Sequence, residues 1–223
     1  MEYIKIKNID DPLFVQFYSL MKEIFPKEEV LDFELWREPL IDPSIRMFVA
    51  VDEGKVVGAT EYRYYPDMNI AMTDFTLIGQ EGKGIGIFLA KNRLEDLNRL
   101  AAEHGKKIRG MFAEIYNPYK VEAIPFGGVS AMNPYVRREV LSHMGYQKLN
   151  FSYVHPSWLD DGGAVTGLDL CFLPFDSEIT SLNGGFIAEF LSTYYSVLEN
   201  KPAEWLKMIH ILQDKEKIEL VAI

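Results

Sequence analysis

The stretch Gln80-Glu81-Gly82-Lys83-Gly84-Ile85-Gly86 joins an apolar, strand-like segment to a long amphipathic, helix-like one. Its reading decides the fold. Glycines at a strand-to-helix junction let consecutive backbone N–H groups turn toward one point, and the helix that follows adds orphan N–H donors and the positive end of its dipole. Such a junction reads as a cradle for a phosphate or pyrophosphate. A tight turn into a packed helix is the competing reading, and the flanking segments weigh against it.

Working outward, Met47 to Val51 is a continuous apolar run, Asp52-Glu53-Gly54-Lys55 a hairpin turn, and Val56 to Tyr65 a strand. Pro66 to Asn69 turns the chain again, and Ile70 to Ile78 is a fourth strand leading straight into the glycine loop. After the loop, Phe88, Leu89, Leu94, Leu97, Leu100 and Ala101 trace one helical face, and Lys91, Arg93, Glu95, Asp96 and Arg99 cover the other. His104-Gly105 closes that helix. Lys107 to Ile115 reads as a fifth strand broken by Tyr116-Asn117-Pro118. Tyr119 to Asn133 reads as a lid or substrate-binding excursion. Val136 to Met144 is a short helix ending at Gly145, and Tyr146 to His155 and Ala164 to Phe175 read as two further strands.

Upstream, Tyr3 to Ile9 suits a half-buried edge strand. Asp10-Asp11-Pro12 starts a helix that runs to Phe25 and stops at Pro26, and a second short helix is expected from Val30 to Glu38. Beyond Pro174 the segments Phe186 to Leu198 and Ala203 to Leu212 look like amphipathic helices, and Ile218 to Ile223 like a strand or docked tail. A main domain over 1–178 and a C-terminal helical extension over 179–223 are expected. The extension has too few apolar residues to fold alone, so it should pack on the main domain or on a second subunit, giving a homodimer.

Composition bounds the function. The 223 residues are 48% hydrophobic and 25% charged, with a formal net charge of -10, so no broad basic surface serves nucleic acid or an anionic leaflet. Cationic or neutral substrates fit better. Cys171, the single cysteine, sits in the apolar run Leu168 to Phe172 and reads as a small buried hydrophobe. Met1 to Lys5 lacks the apolar core of a signal peptide, and no stretch approaches the ~20 apolar residues of a membrane span. A cytoplasmic protein with no membrane partner is expected. The histidines His104, His155 and His210 have no spacing that makes a metal set.

The order strand, two helices, three strands, glycine loop, long helix, strand, helix, two strands resembles the GNAT superfamily of N-acetyltransferases over roughly residues 3 to 175. The resemblance implies an α/β (α+β) fold with a mixed, mostly antiparallel central sheet flanked by helices. In that family the loop carries Arg or Gln, two arbitrary residues, Gly, one residue, then Gly or Ala, and acetyl-CoA pyrophosphate lies on its backbone amides. Glu81-Gly82-Lys83-Gly84-Ile85-Gly86 matches in spacing and in both final glycines and departs at Glu81. Ser142-His143-Met144-Gly145-Tyr146 resembles the family's closing helix-to-strand junction, but Leu141 stands where many members place the tyrosine that protonates the CoA thiolate. Tyr135, His143 and the more distant Tyr116 are the substitutes.

What the resemblance implies is direct attack of a primary amine, from a small molecule or a peptide, on the acetyl thioester. Thr76, Leu77 and Ile78 would supply the oxyanion donor, and Asn117 would help position the pantetheine arm. A carboxylate would take the amine proton. Glu114 and Asp74, each within an apolar strand, are the candidates, and burial is expected to raise such a carboxyl toward a useful base. An ion pair with Arg63 or Arg109, or a solvent-facing strand position, is the bland alternative for both; Glu61 could line the acceptor side, and a solvated strand face explains it as well. A non-catalytic acyl-CoA-binding or sensing module, suggested by Glu81 and Leu141, is the alternative function. A dinucleotide-binding fold is disfavoured, because its glycine loop follows the first strand of a βαβ unit and this one follows four strands.

Overall fold

The computed structural model describes residues 1–25, 30–120, 133–158 and 161–223. The expected stop at Pro26 and most of the expected lid, 121–132, lie outside the described residues. Among those described, the chain forms two compact units, residues 1–111 with 133–137 and residues 112–120 with 138–223.

The first unit begins with β1 (Glu2–Lys5) and α1 (Pro12–Ile24). Asp11 caps α1 by accepting the Leu13 N–H at 2.8 Å, with proline in the first turn where its missing donor costs nothing. A 3-10 turn over Phe33–Trp36 passes into α2 (Arg37–Ile41). The expected single helix ending at Glu38 is therefore later and split. Pro39 lies inside the first turn of α2, where it breaks no intrahelical bond.

Next come β2 (Ile45–Asp52), β3 (Lys55–Tyr65) and β4 (Ile70–Ile78). The four strands lie in the order β1-β2-β3-β4, all antiparallel. Glu53 and Gly54, both at positive φ, form the tight turn between β2 and β3. Strand alternation sends Met47, Val49, Val51, Ala59, Phe75 and Leu77 against Phe14 and Phe17 of α1 and Trp36. Ala50 and Val57 face the other way, against α3 (Ile85–Glu103). This sheet is thus covered on both faces, and α3 holds the glycine loop at its N-terminus.

The face of α3 is a correction. Ile85, Leu89, Arg93, Leu97 and Ala101 are its buried residues, so Arg93 points inward while Leu94 is exposed. Asp96 is also turned in: it accepts from Arg46 Nε and Nη2 at 2.9 and 2.6 Å and from the Tyr62 hydroxyl at 2.6 Å. Sheet-side hydrogen-bond partners override the polar signal in the helix sequence.

Strand β5 (Gly110–Tyr116) begins in the first unit and continues in the second. It starts three residues later than expected, because the Arg109 N–H and the Lys107 carbonyl are both bonded to Asn69. Helix α4 (Pro134–His143) also passes from the first unit to the second, and Gly145 ends it at φ +93°.

The second unit contains β6 (Gln147–Leu149), β7 (His155–Pro156), β8 (Ala164–Val165), β9 (Leu168–Pro174), β10 (Ser181–Leu182), α5 (Gly184–Tyr194), α6 (Ala203–Gln213) and β11 (Ile218–Val221). Its sheet runs β5-β9-β6-β11-β10, and β7 and β8 form a separate antiparallel pair. The expected strand Tyr146 to His155 is cut short at Leu149. The expected strand from Ala164 is interrupted at Gly167, whose φ of +88° no strand residue adopts and whose carbonyl takes the Asn117 N–H. From the extension, β11 pairs antiparallel with β6, and Phe190 of α5 stacks on Phe112 of β5 at 4.1 Å. Sheet and helices agree with the expected mostly antiparallel α/β architecture.

Candidate functional site

The glycine loop is built around two left-handed residues. Gly82 and Gly84 have φ of +69° and +68°, and a Cβ added to either would meet nothing within 4 Å. Their backbone therefore faces open space on one side in a conformation that costs an L-residue about 1–2 kcal/mol. Gly84 is the N-cap of α3, and its carbonyl accepts the Phe88 N–H at 3.0 Å. Ile85, Gly86 and Ile87 precede Phe88, the first intrahelical donor, so their N–H groups are the helix's orphan donors.

Two more glycines hold this end in place. A Cβ at Gly58 would lie 2.5 Å from Ile85 Cγ2, and one at Gly79 would lie 2.9 Å from Leu20. Ile85 is buried, whereas Glu81 and Lys83 are exposed. Thr76, Leu77 and Ile78 lie where β4 runs into the loop, opposite Thr60, Ala59 and Gly58 of β3.

Upstream of the loop, β4 carries an extra residue. Thr76 pairs with Thr60 and Phe75 with Glu61, but Tyr62 pairs with Thr73, leaving Asp74 as the bulge. Asp74 Oδ2 lies 3.7 Å from Arg63 Nε, so the ion-pair reading for Asp74 is realised. Glu61 is 6% exposed, which overturns the solvated reading. Its carboxyl hydrogen-bonds Asp74; burial and the adjacent Asp74 charge push its pKa up to about 8, against the opposing pull of Arg63.

Glu114, on β5, sits in a different setting. Tyr153 and Tyr195 both donate hydroxyls to its Oε1, and His155 Nε2 lies 3.3 Å from Oε2. Burial alone would raise its pKa, but the His155 charge and the three donors outweigh that and lower it. The expectation of a raised Glu114 is corrected on this ground. His155 is shifted reciprocally: burial pulls it down, and Glu114 lifts it above its ordinary value. The pair is a buried ion pair walled by aromatics, with Tyr195 5.6 Å and Trp158 6.1 Å from the imidazole. Sequence reading found Glu114 and missed its three partners, which come from the stretch between β6 and β7, from β7 itself and from the end of α5.

Asn117 is committed to its own surroundings. Its Nδ2 donates to Asp169 Oδ2 at 2.9 Å, and its Oδ1 accepts the Tyr119 N–H. Asp169 also takes Lys120 Nζ at 3.0 Å and Arg138 Nη2 at 2.8 Å, which secures the turn after β5. Tyr135 is 50% exposed in the first turn of α4, whose N-terminus Asn133 caps. Cys171 is fully buried, and burial raises its thiol pKa to about 12, as a small core hydrophobe requires. Among the described residues no group of three His, Cys, Asp or Glu could hold a metal, and no helix is long and apolar enough to cross a membrane.

No family model and no curated protein matches the chain in sequence. Solved structures do match in shape. A Bacteroides thetaiotaomicron protein assigned to the GNAT family of acetyltransferases superposes with a TM-score of 0.60 at 16% identity, covering 89% of this chain and 98% of its own. An aminoglycoside 6'-acetyltransferase type Ii gives 0.52 at 16% identity over 77% of this chain and 95% of its own. A Staphylococcus epidermidis protein assigned as an acetyltransferase gives 0.50 at 12% identity, over 79% and 98%. The chain has the GNAT fold.

Proposed function

We propose that this protein is an N-acetyltransferase that uses acetyl-CoA and acetylates a primary amine by direct attack. The observation that carries the reading is the pair of left-handed glycines, Gly82 and Gly84, presenting open backbone at the N-terminus of α3. A pyrophosphate is the group such a helix end favours. Gly82 to Gly86 would hold it through backbone N–H groups, which Glu81 leaves intact. Acetyl-CoA supplies an activated thioester; the chain must bind it, orient the amine and remove the amine's proton.

For the last task we assign the Glu61 and Asp74 carboxyls rather than Glu114. A base works best with a pKa near the operating pH, and Glu61 meets this condition. Glu114 is held charged by His155 and two tyrosines, with its pKa lowered, and would be a weak proton acceptor. Net charge of -10 favours a cationic amine. Assigning Tyr135 as the acid that returns a proton to the CoA thiolate rests on its position in the sequence.

The test is a thermal-shift titration with acetyl-CoA, followed by detection of free CoA thiol over a panel of primary amines. Stabilisation by acetyl-CoA together with amine-dependent CoA release is expected. No stabilisation and no release would overturn the reading. Stabilisation without release from any amine would move the protein to the non-catalytic class.

A further inference from the structure

Arg93 is 4% exposed, and a buried guanidinium is expensive unless its protons are satisfied. Its Nη1 lies 3.0, 3.0 and 2.9 Å from the hydroxyl oxygens of Thr60, Thr73 and Thr76. Asp96, one turn further along the same helix, is already bonded by Arg46, Tyr62 and Arg99. Three threonines gathered on one cation is a specific arrangement.

Strand parity explains why it bears on the site. In a regular strand, residues three apart point to opposite faces, so Thr73 and Thr76 could not both reach Arg93. The extra residue Asp74 reverses the parity and brings both to the α3 face. The same hydroxyls tie down the bulge backbone, Thr60 donating to the Phe75 carbonyl at 3.1 Å and Thr73 to the Glu61 carbonyl at 3.3 Å. The Thr60 and Thr73 oxygens thus accept from Arg93 while their protons fix main-chain carbonyls beside Asp74, and the Thr76 hydroxyl lies 3.3 Å from that of Thr60.

We propose that Arg93 is a positioning residue: from the α3 side it clamps the β4 bulge through Thr60, Thr73 and Thr76, and so holds Asp74 against Glu61 on the opposite face of the sheet. This inference rests on the acetyltransferase reading for its catalytic meaning. Its structural content stands apart from that reading. Without the clamp the bulge can slip by one residue, which would carry the Asp74 carboxyl away from Glu61. Glu61 would then lose its like-charged neighbour while keeping Arg63, and its pKa would fall. Tyr65 feels the charges of Asp74, Arg63 and Asp42, whereas the Nη1 contacts of Arg93 in the clamp are the three threonines.

The experiment uses the full chain with carbon-13-labelled carboxyls, the Glu61 signal being assigned by its loss in Glu61→Gln. Arg93→Met should lower the Glu61 titration midpoint by at least about one pH unit, and the acid limb of the kcat/KM profile should move with it. Arg93→Lys, which keeps a cation with three donors, should restore much of the wild-type midpoint. Thr73→Val, a milder change, should shift it in the same direction as Arg93→Met and replaces that variant if it does not fold. A folded Arg93→Met or Thr73→Val protein with the wild-type midpoint overturns the proposal. So does a midpoint that moves while the acid limb of an active enzyme stays fixed. If the wild type neither binds acetyl-CoA nor releases CoA, the functional reading falls, and the carboxyl titration alone decides whether Arg93 sets the pair.

Discussion

Replacing Glu114 with Gln separates a structural carboxylate from a catalytic one. Wild-type Glu114 faces His155 Nε2 at 3.3 Å and receives two tyrosine hydroxyls. The amide would leave the buried imidazole without its counter-charge and present an N–H₂ group toward one of its present donors. Breaking a buried pair from one side costs about 3–5 kcal/mol. At roughly 2–4 °C per kcal/mol for a chain of this size, Tm should fall by roughly 6–20 °C.

The pH dependence gives a second handle on the same pair. The folded pKa of Glu114 is depressed, so its contribution is present above its ordinary value of 4.5 and is lost as pH falls through the folded value. His155 is raised, so its contribution is complete below its ordinary 6.5 and is lost as pH rises through the folded value. The stability gap between wild type and Glu114→Gln should therefore be widest between pH 4.5 and 6.5 and shrink on either side. Thermal unfolding followed by circular dichroism across pH measures it. Adding His155→Gln should recover part of the loss, because the stranded charge is then removed. A Glu114→Gln Tm within about 1 °C of wild type would refute the reasoning. So would a fully folded Glu114→Gln protein whose amine-dependent kcat had fallen by the 10²–10⁴-fold typical of a missing base.

Three further substitutions probe other parts of the chain. Gly84→Val places a β-branched side chain at φ +68°, so a Tm loss of a few degrees is expected, with acetyl-CoA binding in calorimetry weakened more than about tenfold as backbone donors are lost; unchanged affinity would count against the cradle. Glu61→Gln should cut kcat/KM by about 10²–10⁴-fold. Because the folded pKa of Glu61 is raised to about 8, ionising it costs stability as pH rises from its ordinary value toward 8, and the Gln variant should lack that decline in a urea-unfolding series. Gly184→Ala would put a Cβ 2.2 Å from the Leu212 carbonyl and 2.6 Å from that of Lys215, which predicts about 1–3 kcal/mol of destabilisation by chemical unfolding.

The strand order and the glycine loop were legible because their signals are local. The hairpin at Glu53-Gly54, the turn before Ile70 and the glycines at the head of α3 each follow from a few adjacent residues. Strands Tyr146 to His155 and Ala164 to Phe175 were read too long for the opposite reason. Where they end depends on distant partners, Asn117 taking the Gly167 carbonyl and Glu114 drawing in Tyr153 and His155, and no window of sequence contains both ends of such a bond.

The candidate site divides in the same way. Glu114 and Asp74 were visible as acids in apolar strands, yet residue type fixes neither pKa. A single extra residue in β4 decides the matter for Asp74, since it sets which carboxyl meets Glu61 and which hydroxyls meet Arg93. For Glu114 the deciding residues are 39, 41 and 81 positions away at Tyr153, His155 and Tyr195. Two acids with similar sequence surroundings therefore end beside different partners. One helps to raise a neighbouring carboxyl toward neutrality, and the other is locked as an anion beside a histidine. The chemistry follows the partners each carboxyl acquires in the fold.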